Sequence, residues 1–181
     1  NARKKEVSLL EPNLDEYKKV MSIINNFIIK KKRIIYGGWA WHKLIENKNK
    51  NDGIYDKDRI GYPDIEFYSP DPINDLIEIC DILHKKKFKY IEGRQAQHEG
   101  TYSLFVNFIN FCDMSYIPNR INNSMPNIVI DKVKYVHPKV IMIDMFRMYT
   151  DPLSSFWRVK KNMKRANHLL SYYPIKKSSW K

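Results

Sequence analysis

The chain has 181 residues, 43% of them hydrophobic and 13% aromatic, which is enough for a real core and excludes a disordered chain. Lys and Arg number 32 against 20 Asp and Glu, a formal net charge of +12 that points to a polyanion as partner, with an AT-biased, Lys-, Asn- and Ile-rich coding sequence as the rival explanation. No apolar stretch approaches the ~20 residues that span a bilayer, no signal peptide opens the sequence, and Cys80 and Cys112 are too few and too far apart for a metal cluster or a disulfide scaffold.

The expectation is therefore a soluble, intracellular protein with free thiols in a reducing compartment. One domain, or one and part of a second, fits the length. The start at Asn1 and the polar tail from Lys176 to Lys181 fit a piece of something longer.

In chain order, Pro12-Asn13 followed by Glu16 resembles a capped helix start. Tyr17, Val20, Met21, Ile24, Phe27 and Ile28 then recur at helical spacing, predicting a helix to about Lys32. Its basic end, Lys30 to Arg33, suits a solvated helix C-terminus. Arg33 to Tyr36 reads as a short strand, and Gly37-Gly38 as a tight turn into a helix from Trp39 to about Asn47. Glycines let backbone N–H groups approach an anion, and a helix N-terminus adds its dipole, so strand-Gly-Gly-helix can seat a triphosphate; a plain turn is the alternative. Trp39, Trp41 and Leu44 are assigned to the core, and Lys48 to Gly61 to an exposed polar loop.

Asp64-Ile65-Glu66-Phe67-Tyr68 reads as a strand, in which residues i and i+2 share a face. Asp64 and Glu66 then stand together, where they repel unless a cation lies between them. Oxygen donors so spaced suit Mg²⁺. The alternative is an amphipathic strand with a solvated acidic face. Ser69-Pro70-Asp71-Pro72 starts a helix with an apolar face of Ile73, Leu76, Ile77, Cys80 and Leu83, closing at Lys85-Lys86-Lys87.

Phe88 to Ile91 is predicted as a strand and Glu92 to Gly100 as a polar connection. Thr101 to Pro118 is strand-rich, with Tyr102, Leu104, Val106 and Phe108 alternating against polar neighbours. Asp113 stands there among apolar and aromatic residues, where an acid needs a metal, an Arg or backbone donors. Asn127 to Val136 reads as a hairpin turning at Asp131-Lys132. Pro138 opens a helix with Val140, Ile141, Met145 and Met148 inside. Asp151-Pro152 caps a last helix with a buried stripe of Phe156, Val159, Met163, Ala166 and Leu170. Its other face carries Arg158, Lys161 and Arg165, with Lys160, Lys164 and His168 nearby, and no acid interrupts Leu153 to Lys181. A solvated face and a phosphate-contacting surface both stay open.

The order of strand, Gly-Gly, helix, acid-x-acid strand and later single-acid strand resembles the DNA polymerase beta-like nucleotidyltransferases. Within them, Tyr36-Gly37-Gly38-Trp39-Ala40, Tyr62-Pro63-Asp64-Ile65-Glu66-Phe67, His98-Glu99-Gly100-Thr101-Tyr102-Ser103 and Asp151-Pro152-Leu153-Ser154-Ser155-Phe156-Trp157-Arg158 look like the poly(A) polymerase catalytic subunits of large cytoplasmic DNA viruses, especially giant viruses related to mimivirus. The resemblance runs from about Asn13 to Pro174. It implies an α+β nucleotidyltransferase fold, a mixed β-sheet flanked by helices with further helices at the C-terminal end. The expected organisation is an N-terminal helical segment over 1–33, a catalytic core over 34–137 and C-terminal helices over 138–181 leading into a further domain.

The implied activity is transfer of AMP from ATP to an RNA 3′ end by a two-metal in-line displacement. Asp64, Glu66 and Asp113 would be the catalytic ligands of Mg²⁺ or Mn²⁺, and Gly37, Gly38, Arg158 and Lys161 would hold the nucleotide. RNA, ATP and a homodimer or processivity partner are the implied partners, for a viral protein in the virion or host cytoplasm. Two features depart from the family pattern: the long polar insertion between glycines and acids, and Glu66 where Asp is usual. Transfer to DNA or another acceptor, and a non-catalytic basic nucleic-acid-binding module on the same fold, are the alternatives.

Overall fold

The structure is a computed structural model and describes residues 14–55 and 64–175. Helix α1, Leu14–Lys31, buries Tyr17, Val20, Met21, Ile24, Phe27 and Ile28, the stripe its spacing requires. The expected cap at Asn13 lies outside the described residues. The helix ends by a Schellman motif: Lys32 turns left-handed at φ 56, its N–H bonds Ile29 O, and Arg33 N–H bonds Ile28 O. This sharp stop delivers the chain into β1, Ile34–Tyr36, and then α2, Gly37–Glu46.

After the insertion come β2, Ile65–Ser69, and α3, Pro72–Lys85, where the Asp71 side chain caps the helix by accepting from Asn74 N–H. There follow β3, Ile91–Gln95, β4, Thr101–Val106, β5, Ile109–Tyr116, a short α4, Asn119–Ser124, then β6, Asn127–Ile130, and β7, Val133–Val136. The chain closes with α5, Pro138–Thr150, α6, Pro152–Ser155, a 3₁₀ turn over Phe156–Arg158, and α7, Val159–Tyr172.

The strands form one seven-stranded sheet in the order β3-β4-β5-β2-β1-β7-β6. It is mixed: β1 runs parallel to β7 and β2 parallel to β5, while β1–β2, β3–β4, β4–β5 and β6–β7 are antiparallel. This is the α+β architecture expected. A single core cluster draws on all three segments of the chain, from Tyr17 through Phe67 and Phe111 to Leu169. Cys112 is buried and Cys80 half-buried, both as free thiols. Among the described residues, no helix is long and apolar enough to cross a membrane.

Several local expectations are corrected. Phe88–Tyr90 is not strand, because Lys87 and Tyr90 take left-handed conformations at φ 64 and 50; β3 begins at Ile91, the last residue of the expected strand, and runs on to Gln95 through the stretch read as a polar connection. Phe108 is exposed at the tip of the β4–β5 hairpin: Asn107 and Phe108 sit at φ 50 and 66, the two-residue turn that matches strand twist. The hairpin at Asp131-Lys132 uses the same geometry, as expected.

On α3 the buried residues are Pro72, Asp75, Leu76, Ile79 and Leu83, whereas Ile73 and Ile77 are exposed. The acid Asp75 lies on the buried face, which displaced the apparent stripe by one position. On α5, Ile141, Met142 and Met145 are buried. The last helix is broken rather than continuous: Ser155, buried at φ −143, interrupts it, leaving Phe156 and Met163 exposed and Ala166 and Leu169 as the buried residues of α7.

Candidate active site

Pairing across the sheet places Tyr36 of β1 opposite Glu66 of β2, Glu66 opposite Asp113 of β5, and Asp113 opposite Ser103 of β4. Residues so paired share a face, so a row of polar side chains crosses the central strands. Asp64 immediately precedes β2 and continues its alternation: Asp64, Glu66 and Tyr68 are half-buried, while Ile65, Phe67 and Ser69 are buried. The acid-x-acid strand and the later acid therefore meet, as the sequence predicts.

Their charges register the meeting. Burial, then the neighbouring Asp113, raises the Asp64 carboxyl above its ordinary pKa. Burial also pushes Glu66 up to about 7; Asp64 and Asp113 add to the rise, while the Gly38 N–H and the Arg158 charge oppose it. Among the described residues, the partners of Asp113 are neither backbone donors nor an Arg but two side chains. Ser103 Oγ donates to its Oδ1 at 2.5 Å and Asn110 Nδ2 at 3.1 Å.

The glycines stand beside this row. Gly37 has φ +67, and a Cβ there would collide with the Glu66 carboxylate. Gly38 donates its N–H to Glu66 Oε2 at 3.1 Å, and a Cβ on it would meet the Tyr55 hydroxyl. An N–H in the first turn of α2 thus faces a carboxylate, the charge sign a helix N-terminus favours. Tyr36 stacks on Tyr68 with ring centroids 4.1 Å apart, and its hydroxyl pairs with Ser115 Oγ at 2.6 Å.

Among the described residues, no three His, Cys, Asp or Glu side chains stand in the close geometry of a preformed metal site. The donor set nevertheless fits a hard divalent cation, since all three groups offer oxygen and two are raised in pKa by burial and mutual repulsion. The buried Asn110 Oδ1, beside Asp113, has no hydrogen-bond partner among the described residues and is a further oxygen at the same place.

These raised acids set a pH dependence. The folded state holds protons on Glu66 and Asp64 that the unfolded chain releases at lower pH, so their contribution to stability is full below the unfolded values and is lost as pH rises through the folded ones. Thermal unfolding in chelator should therefore show stability falling between about pH 4.5 and 7. Glu66→Gln should flatten that fall, and an unchanged slope would refute the assignment.

Of the basic residues, Arg158 is exposed in the 3₁₀ turn, within electrostatic reach of Glu66, and Lys161 is exposed in the first turn of α7. Arg165, half-buried on α7, comes nearest the glycines, with Nη1 3.6 Å from where a Cβ on Gly38 would lie. Sequence reasoning gave Ser103, Asn110, Tyr55 and Arg165 no individual role at the site. Each arrives by strand pairing or long-range contact, for which the local sequence carries no signal.

The mixed sheet, with acids on neighbouring parallel strands and a Gly-Gly helix start beside them, defines the class as a nucleotidyltransferase-type α+β domain. Residues 22–155 match the family model described as poly(A) polymerase catalytic subunit, and the chain belongs to that family. It is 40% identical over 176 residues to a protein of Acanthamoeba polyphaga mimivirus named as a poly(A) polymerase catalytic subunit, covering 97% of this chain and 30% of that protein. A protein of the same name from African swine fever virus (strain Badajoz 1971 Vero-adapted) is 32% identical over 171 residues, covering 91% of this chain and 35% of its own length. The crystal structure of the Megavirus polyadenylate synthase superposes with a TM-score of 0.92 at 42% identity, over 99% of this chain and 36% of that one. The chain thus spans about a third of the length of these relatives.

Proposed function

We propose that this chain is the catalytic domain of a template-independent polymerase that adds AMP from ATP to RNA 3′ ends. The observation that carries this reading is the pairing of Glu66 with Asp113, with Asp64 one step along the same face and Gly37-Gly38 against Glu66. Asp64, Glu66 and Asp113 are the residues that would hold Mg²⁺ or Mn²⁺, which supplies charge neutralisation and lowers the pKa of the attacking hydroxyl when bound. Ser103 and Asn110 orient Asp113 by donating to it. The helix α2 N-terminus and the basic residues of the last helical segment offer donors for phosphate oxygens. Positioning and electrostatics carry most of the catalysis in such transfers, so no further nucleophile is needed.

The same reading takes residues 34–137 as the catalytic core, with 1–33 as an N-terminal helical segment and 138–181 leading onward into a further domain. It takes RNA and ATP as partners, with a homodimer or processivity subunit, in the setting of a viral infection. The test is 3′ extension of a labelled RNA by the intact protein with Mg²⁺ and each nucleoside triphosphate in turn, repeated with DNA. RNA extension with ATP preferred supports the reading; no extension of any acceptor overturns it. Salt-sensitive RNA binding without extension, undiminished by Asp64→Ala, would leave the non-catalytic binding module in its place.

A further inference from the structure

The segment from Asn49 to Tyr55, the first part of the polar insertion, is anchored at both ends. Asp52 Oδ2 accepts from the Tyr172 hydroxyl at 2.5 Å and faces His168 Nε2 at 2.8 Å, bonds that hold its carboxyl below the ordinary range, and Asn49 Nδ2 donates to the Tyr172 hydroxyl at 3.3 Å. On α2, Tyr55 N–H donates to His42 Nδ1 at 3.3 Å, and Gly53 lies so close to the His42 ring that a Cβ would collide with it. The segment therefore bridges α2, which begins with the glycines, and α7. Between them, the Arg165 guanidinium lies 5.9 Å from the Trp41 ring and 5.7 Å from the Tyr55 ring. Among the described residues, no carboxylate pairs with Arg165. A guanidinium fixed by aromatic faces beside a helix N-terminus is held in place, charged, and its donor fork suits phosphate oxygens.

Resting on the proposed nucleotidyl transfer, we propose that Arg165 is the phosphate-contacting cation of α7, and that Asp52 is its positioning residue. Asp52 acts through His168 and Tyr172: it ties the last turns of α7 to the insertion, and the insertion in turn lays Tyr55 against both Gly38 and Arg165. The segment Asn49 to Tyr55, part of an insertion that departs from the family pattern, is then the brace of the nucleotide seat.

The experiment measures equilibrium binding of ATP with Ca²⁺ by the intact protein, together with kcat and KM for ATP in RNA extension. Arg165→Ala should weaken ATP binding and raise KM at least about tenfold, as expected for one charge-assisted contact. Arg165→Lys keeps the charge but loses the planar fork, and should fall between. Asp52→Asn should raise KM about threefold or more with kcat held, and adding it to Arg165→Ala should produce no further loss, the signature of action through one residue. If wild type binds ATP and both Arg165 variants bind equally well, this inference falls while the function stands; should Arg165→Ala fail to fold, Arg165→Lys decides. A fully additive Asp52 effect overturns the positioning role. If wild type binds no ATP, the proposed function itself fails.

Discussion

Asp64→Ala and Asp113→Asn proteins are expected to fold and to extend RNA at least about 10³-fold more slowly than wild type, since a catalytic metal contributes several kcal/mol to the transition state and each ~1.4 kcal/mol is a tenfold rate. The two changes test different parts of the argument. Asp113→Asn is isosteric and keeps an oxygen to accept from Ser103 Oγ, now at 2.5 Å, and Asn110 Nδ2, now at 3.1 Å, so the strand pairing around it has no reason to change. It removes only charge. Because Asp113 helps raise the pKa of both Asp64 and Glu66, its neutralisation relieves repulsion, and the variant should melt no lower than wild type in chelator. Adding Mg²⁺ should raise the melting temperature of wild type, which gains a ligand bound to the folded state alone, and do so much less in either variant. Retained activity in both proteins would sink the metal assignment; lost activity with a collapsed melting temperature would show that Asp113 is structural.

What could be read from the sequence divides by the range of the interaction. The α1 stripe, the short strand before Gly37, the Asp64–Phe67 alternation and the turn at Asp131-Lys132 rest on local periodicity and turn chemistry, and each stands in the structure. The meeting of Glu66 with Asp113 depends on which strands become neighbours, and there the family resemblance supplied what periodicity lacks. Strand β3 is legible in the sequence only at Ile91, because an edge strand that is largely exposed need not alternate, and Glu92-Gly93-Arg94-Gln95 reads as a loop. The α3 face was misplaced because its buried residues include an acid. The bridge from Asp52 to His168 and Tyr172 joins residues far apart in the chain, and no local pattern announces it. Arg33, read as the last member of a solvated basic run, is in fact the partner of Asp75.

That pair carries the largest expected effect on stability: Asp75→Ala should cost about 3 to 5 kcal/mol, because it leaves Arg33 charged and unpaired in a place poor in water. The side chains are 12% and 3% exposed, and the contact is bidentate, Arg33 Nε to Asp75 Oδ2 at 2.7 Å and Nη2 to Oδ1 at 2.9 Å. Ser69 Oγ adds a donor to Oδ2 at 2.5 Å, so the carboxylate is well satisfied. Arg33 enters β1, Ser69 ends β2, and Asp75 sits in the first turn of α3, so one carboxylate ties together the two strands that carry Gly37 and Glu66. A melting temperature lower by about 10 °C, and a lower urea midpoint at unchanged slope, are the readouts. Replacing both partners, as Arg33→Met with Asp75→Leu, should recover much of the loss, since an apolar pair leaves no buried charge behind. Such a protein would test whether the ion pair also sets register: if the approach of Gly38 N–H to Glu66 at 3.1 Å depends on it, the double variant regains stability but not RNA extension. If Asp75→Ala unfolds within 1 kcal/mol of wild type, the pair is not the tie its burial indicates.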